Sequence, residues 1–426
     1  MPHAPSPRSG APRIRLASRF GVLGLATATA VACSSDPTAP LTTTTPPPNP
    51  GGRLTVLQYM AAALDTIQGL SINESVAKTT AFREKYLQQA STAKTYRELY
   101  PIIRRALGEL DPHSSLSVPE NLPGSTDAPV DRPDLRVQGR MAAPRIAYLW
   151  VPGYIGRNQQ GRVDSTHTAM KELDANNPCG WVVDLRRNNG GFFYALMASV
   201  GPLYAVDNGT VGGQRYSGNF QVTWNYRRRA DGTDAFVVRS PAGDSGQLVV
   251  QSPFRPRRVG LPVAVLHSTS TNAGGQFVTI TASAGESISL AFRGGPPSRS
   301  FGAQTYGVAS GRYPMRMIDS ARIDITDSYM FDRRGGTPGN DPMEPDVRIA
   351  TPGVPTFTTS DTVVTAAVEW LQSQSACTTG AADRLPTPRA QRSPSAEASA
   401  PTGVRRPLPS RDAVYALPDP GFTFLP

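Results

Sequence analysis

Two consecutive decamers, residues 271–280 and 281–290, hold the side chains best suited to chemistry. Thr281-Ala-Ser-Ala-Gly-Glu286 lies downstream of an apolar run at 262–266 and opens into an apolar stretch at 287–292. A strand, a sharp Gly-containing turn that carries a Ser, and a helix make a nucleophile turn. The hydroxyl then sits at a helix N-terminus, where unpaired backbone N–H groups can receive an oxyanion. Ser283 is the candidate nucleophile. The preceding decamer, Thr271-Asn-Ala-Gly-Gly-Gln-Phe-Val-Thr-Ile280, is an imperfect copy with Ala273 where the second has Ser283. With Ser283 at the helix start the chain is a hydrolase; with Ala273 there it is inactive. Gly274-Gly275 disfavours a helix in the first copy by about 1 kcal/mol per Gly relative to Ala, which favours Ser283.

A nucleophilic Ser needs a base. The four lysines, Lys78, Lys85, Lys94 and Lys171, all precede the turn, so a Ser/Lys dyad with a downstream lysine is excluded. Of the four histidines, His3 belongs to an N-terminal export segment, leaving His113, His167 and His267. His113 is best placed, because Asp111-Pro-His-Ser114 ends a predicted helix at a domain boundary, where clefts form. His167 falls within a predicted helix and reads as a surface residue, whereas His267 follows a core strand and could reach the site. The segment Asn188-Asn-Gly-Gly191 follows one strand and opens a helix. It lacks the Lys of a phosphate loop and the glycine spacing of a dinucleotide turn, and it reads better as half of an oxyanion hole. No His/Cys/Asp/Glu spacing suits a metal, and no cofactor is expected.

These residues need a scaffold. Within the 426 residues, strands are predicted at 145–151, 181–185, 262–266, 322–326 and 343–347, and helices at 54–70, 75–89, 96–110, 163–173, 192–204 and 362–374. Pro101 is expected to kink or restart the third helix. Residues 206–260 alternate polar and apolar residues with many glycines and read as a β-rich insertion. Strands alternating with helices argue for an α/β fold. The organisation expected is a signal peptide at 1–32, a Pro/Thr-rich linker at 33–52, a helical region at 53–123, a catalytic core at 124–375 and a disordered Pro/Ala/Arg-rich tail at 376–426.

The N-terminus carries Arg8, Arg13, Arg15 and Arg19 before an apolar run at 21–32 that is too short to span a bilayer. Small residues before Cys33 point to a lipidated cysteine, with ordinary cleavage after Ala32 as the alternative. The protein is thus expected in the cell envelope, facing the periplasm or exterior and touching the membrane only through a lipid anchor. Cys179 and Cys377 lie in unlike surroundings and read as free thiols. The net charge of +10 is largely arginine in the signal and tail, with no basic helix interleaved with aromatics, so no nucleic-acid partner is expected.

In order along the chain, Leu110-Asp-Pro-His-Ser114, Trp181-Val-Val-Asp-Leu-Arg-Arg-Asn-Asn-Gly-Gly191, the run at 262–266, Thr281-Ala-Ser-Ala-Gly-Glu286, Phe301-Gly302 with Thr305-Tyr-Gly307, and Glu344-Pro-Asp-Val347 resemble the C-terminal processing, or tail-specific, serine peptidases, in the branch that includes tricorn. The resemblance covers roughly residues 55–375. It implies a crotonase/ClpP-like core of ββα units, hydrolysis of peptides or unfolded proteins, Ser283 as nucleophile and His113 as base. It further implies orientation of the base by Ser114 and a carboxylate, Glu344, with Asp341 and Asp332 as rivals. The oxyanion donors map onto the amides of Gly190 or Gly191 and of Ala284. The chain departs from the family in three ways. There is no room between 117 and 145 for a PDZ domain, the family's Lys after Gly302 is missing, and the decamer is duplicated. Spacing from the strand end to Thr271 matches the family and places Ala273 in the turn, whereas spacing from Ser283 to Phe301-Gly302 places Ser283 there. The alternative to an enzyme is an inactive peptide-binding protein of the same fold.

Overall fold

The structure, a computed structural model, describes residues 54–118, 136–156, 158–205, 207–271, 275, 277–350 and 360–378. The expected signal segment, Cys33, the linker, Ala273 and the tail beyond 378 lie outside the described residues.

Four helices open the chain: α1 (Val56–Leu70), α2 (Glu74–Ala77), α3 (Thr80–Ala90) and α4 (Tyr96–Leu110). The single helix expected at 75–89 is two, because the Thr79 hydroxyl accepts the Phe82 N–H at 3.2 Å and caps a new start. Pro101 neither ends nor restarts α4. Burial of Leu99, Ile102, Ile103, Ala106 and Leu107 outweighs an interior proline cost of about 3 kcal/mol. The helices pack on the short β1 (Ser115–Ser117) and, through Ile323 and Ile325, on a long strand described below.

The chain then builds β2 (Gln138–Ala143), β3 (Ile146–Trp150), α5 (Gln159–Asp174), β4 (Gly180–Asp184) and α6 (Phe193–Tyr204). A meander follows: β5 (Thr210–Tyr216), β6 (Gln221–Arg228), β7 (Asp234–Ser240) and β8 (Gly243–Val250). Next come β9 (Val263–His267), the small hairpin of β10 (Ser270–Thr271) and β11 (Phe277–Thr279), and α7 (Ala284–Phe292). The last elements are β12 (Ser298–Gly302), β13 (Ser310–Arg316), β14 (Arg322–Phe331), β15 (Val347–Arg348), α8 (Thr362–Ser373) and α9 (Ser375–Thr378).

One sheet runs in the order β15-β12-β9-β4-β3-β2, parallel except for the β2 edge. Both its faces are covered, so its strands read as unbroken apolar runs. Ile146, Tyr148 and Trp150 face α8, while Ala147 and Leu149 face α5, α6 and α7 on the other side. The second sheet, β1-β14-β5-β6-β7-β8 with β13 also on β14, is antiparallel and closes over α6 and α7 through Trp224, Tyr226 and Phe236. This is the α/β core expected, with the β-rich insertion as most of the second sheet.

Cys179 and Cys377 are disulfide-bonded, with Cα atoms 5.0 Å apart, and are not the free thiols expected. Their sequence separation of 198 gives no hint of the pairing. The sheet end at Cys179 and the C-terminal helices meet only in the fold. The bridge also places residues 375–378 in an ordered helix where the tail was expected to begin. Closing so long a loop restricts the unfolded chain, so Cys377→Ser is expected to lower stability by about 2–5 kcal/mol. Urea unfolding of the variant beside the oxidised and reduced parent checks this; equal midpoints for all three would refute it.

Candidate active site

Ser283 is the residue before α7, with φ 56° and ψ −118°. A non-glycine residue rarely adopts such a backbone, which costs on the order of 1–3 kcal/mol unless its surroundings hold it. Several bonds do. The Ile280 N–H donates to Arg186 O at 2.9 Å, the Thr281 hydroxyl to Leu185 O at 2.8 Å and the Ala282 N–H to Asn188 O at 2.9 Å. The approach to the turn is thereby stitched to the loop after β4. A Cβ on Gly285 would meet Asn188 O at 2.4 Å, so glycine there allows the helix start to rest on that loop.

Of the two decamers, the second thus opens the helix. Residues 277–279 of the first are a strand of the hairpin instead. Its anchor is Thr279, whose hydroxyl bonds Ser270 Oγ at 2.7 Å and Ser268 Oγ at 3.1 Å. The ten extra residues are accommodated between β9 and the turn, which is why the spacings on the two sides pointed to different copies.

Glu286, fully buried in the first turn of α7, holds the site together. Its Oε2 accepts the N–H groups of Ser283 (2.7 Å) and Val308 (2.9 Å), and its Oε1 accepts the Gly307 N–H (2.9 Å) and the Thr305 hydroxyl (2.5 Å). Burial raises its pKa, and these four donors act in the opposite direction. The Tyr306 N–H donates to Thr281 O at 2.9 Å, so residues 305–308 lie along the nucleophile turn.

His113 comes to the same loop from the helical region. The Gly307 backbone hydrogen-bonds its imidazole, and its ring lies 5.9 Å from the Tyr306 ring. Burial lowers its pKa below the ordinary histidine value, opposed by the charge of Asp111 and reinforced by that of Arg312. Asp111, itself buried, fixes the loop. Its Oδ1 accepts the His113 N–H at 2.7 Å and the Thr326 hydroxyl at 2.9 Å, and Asn340 donates to its Oδ2. The Ser114 hydroxyl accepts the Thr326 N–H at 2.9 Å, and Arg312 Nη1 donates to His113 O at 3.2 Å. Ser114 therefore ties the loop to β14 through backbone rather than touching the imidazole.

Other expected residues lie elsewhere. Glu344 is exposed and pairs with Arg348, four residues on. Asp332 caps its own turn through the Arg334 and Gly336 N–H groups, and Asp341 is exposed. The carboxylate in contact with the His113 loop is Asp111, two residues away in a motif already singled out but not assigned a role. Asn340, in an irregular loop, carries no signal of its own. His167 is buried, not on the surface: its Nε2 bonds Ala198 O at 3.2 Å and its Nδ1 accepts the Phe254 N–H at 3.1 Å. His267 is buried, with Nδ1 on Ala303 O at 2.8 Å, and burial lowers its pKa to about 4. Both are structural imidazoles.

The loop from β4 to α6 runs beside β9, as the Leu185 N–H bond to Leu266 O (2.8 Å) shows. Gly191 has φ 117°, and a Cβ there would meet Tyr154 O at 1.9 Å. The Gly190 N–H is turned onto Asn188 Oδ1 at 3.0 Å, which removes it as an oxyanion donor and leaves Gly191 as the candidate in this loop. Ala284 opens α7, where first-turn amides lack intrahelical partners. Among the described residues no group of three His, Cys, Asp or Glu side chains could hold a metal ion, and no helix is long and apolar enough to cross a membrane.

The model of peptidase family S41 matches residues 145–349, spanning the loop after β4, the nucleophile turn and the 305–308 loop. The nisin-resistance protein of Lactococcus lactis subsp. lactis is 22% identical over 318 residues, covering 74% of this chain and 87% of that protein. The structure of a lipoprotein from Streptococcus agalactiae superposes with a TM-score of 0.53 at 18% identity, covering 76% of this chain and 98% of that one, and shows a shared fold. With its motifs in family order on that fold, the chain carries a peptidase family S41 domain.

Proposed function

We propose that this protein is an exported serine-type endopeptidase acting on peptides or unfolded proteins, with Ser283 as nucleophile and His113 as base. The observation that carries the reading is the Glu286 clamp. One carboxylate fixes the backbone of Ser283 and the loop that holds His113, so two residues 170 positions apart are served by one anchor. In the reaction His113 takes the Ser283 proton as Oγ attacks the peptide carbonyl. The Gly191 and Ala284 amides stabilise the oxyanion, and His113 then protonates the leaving amine. Water, activated by the same imidazole, releases the acyl group. Asp111 and Ser114 position the His113 loop.

A base must be neutral to work. With its pKa below the ordinary value of 6.5, His113 is ready at neutral pH, and kcat/KM should fall only as pH drops through that lowered value. The disulfide fits an oxidising compartment, and the resemblance to a lipoprotein fits a cell-envelope location with Cys33 as lipid anchor.

A fluorophosphonate reagent tests the reading directly. The full chain should be modified once, at Ser283, with the adduct located by mass spectrometry of the digest and labelling suppressed below the His113 pKa. No adduct would leave an inactive peptide-binding protein as the better description, and an adduct at another serine would remove Ser283 as nucleophile.

A further inference from the structure

Among the described residues, seven large apolar side chains are exposed, and three of them border the proposed site. Ile155 lies against the oxyanion loop, since a Cβ on Gly191 would come within 3.2 Å of its Cγ2. Tyr306 is 40% exposed beside His113, and Phe277 is 43% exposed with its ring 5.5 Å from Tyr306 at an interplanar angle of 80°. Leaving such area in water is unfavourable, and its grouping around the proposed site points to a ligand that covers it.

Phe277 comes from the duplicated decamer. Its counterpart in the second copy is Ser287, which is buried in α7 with its hydroxyl on Met330 Sδ at 3.0 Å. The two copies thus differ at this position both in residue and in placement. The second supplies the nucleophile, and the first places an aromatic ring on a hairpin against the residue next to the base. Thr279, two residues on, is buried and holds β11 to β10, so Phe277 has a firm base.

Chemistry fixes which part of a substrate meets this pair. The base that takes the nucleophile's proton returns it to the leaving amine, so the residue contributing that amine lies on the His113 side of the cleft. Tyr306 borders His113, and Phe277 borders Tyr306.

We infer that Phe277 and Tyr306 determine specificity by binding a large apolar, preferably aromatic, side chain on the substrate residue immediately after the cleaved bond. The edge-on arrangement of the two rings leaves ring faces and edges for a third, a geometry that favours an aromatic over an aliphatic occupant. This inference rests on the assignment of Ser283 and His113 above.

The test uses the full chain and paired peptides that differ only in Phe or Ala after the cleaved bond, with cleavage sites read from the new amino termini. The parent should favour the Phe peptide by about 10- to 100-fold in kcat/KM. Phe277→Ala should reduce that ratio to within a few-fold of one, and Phe277→Leu should restore part of it. The ratio is taken within one enzyme preparation, so a change in folded fraction cancels. An equal rate on both peptides in the parent, or a preference that survives Phe277→Ala, overturns the inference while leaving Ser283 and His113 in place. Hydrolysis that persists in Ser283→Ala, or no cleavage of either peptide by the parent, overturns the assignment of the site as well.

Discussion

Ser283→Ala is expected to lower kcat by about 10^6-fold, and the Ser283→Ala/His113→Ala double variant to be little worse than either single change. In the proposed mechanism nucleophile and base act as a unit: without the hydroxyl the base has no proton to take, and without the base the hydroxyl is a weak nucleophile. What remains on that mechanism is binding and the amides of Gly191 and Ala284, which would still stabilise an oxyanion formed by attack of water. Stability should fall by only about 0.5–2 kcal/mol in Ser283→Ala, the worth of the capping bond that the Ser283 hydroxyl accepts from the Glu286 N–H. Alanine meets the same backbone strain at φ 56°, ψ −118°, and the Glu286 carboxylate still accepts the N–H of this residue. Steady-state kinetics of the three variants, with thermal unfolding alongside, give the answer. Effects of the two substitutions that multiply would show that Ser283 and His113 act separately and would remove the dyad.

The elements that position this site were legible where burial imposes a period. The parallel strands lie between helical layers on both faces, so their apolar runs at 146–150, 180–184 and 263–267 stand out. Helix α4 is equally plain because its apolar residues fall on one stripe. The nucleophile turn was visible as a motif, but its duplicate was ambiguous, since a ten-residue insertion shifts one spacing and preserves the other. What decides between the copies is tertiary: Leu185, Arg186 and Asn188 accept bonds from residues 280–282. Contacts made late in the chain were not legible. Asn340 reaches Asp111 across more than two hundred residues, and Cys377 reaches Cys179 across 198. Neither carries a local pattern. His167 misled because the polar Ser165 and Thr166 beside it suggest an outer face, yet residue 254 folds over that side of α5. Glu344 followed from resemblance alone, and its partner Arg348, four residues on, takes its charge at the surface.

The Glu286 clamp ties stability to activity. Glu286→Ala leaves the N–H groups of Ser283, Gly307 and Val308 and the Thr305 hydroxyl without their acceptor, in a place water does not readily reach. Each unsatisfied buried donor costs about 1–3 kcal/mol, so a loss of about 4 kcal/mol or more is expected. Glu286→Gln keeps the shape but replaces one oxygen by NH2. Either orientation sets that group against at least one backbone N–H: Gly307 on the Oε1 side, where the Thr305 hydroxyl can turn to accept, or both Ser283 and Val308 on the Oε2 side. Gln should therefore fall between Glu and Ala rather than rescue the site. Activity should fall beyond what unfolding explains. The strained backbone of Ser283 relaxes when its N–H is released, and the loop carrying Gly307, which bonds His113, moves with it. A misplacement of about 1 Å costs on the order of 10^2-fold in kcat, and because Tyr306 lies between Thr305 and Gly307 on the same loop, KM should rise as well. Kinetics at a temperature where each variant is fully folded, set beside chemical denaturation, separate the two effects. If Glu286→Gln retained parental kcat, the clamp would hold the fold together without positioning the nucleophile.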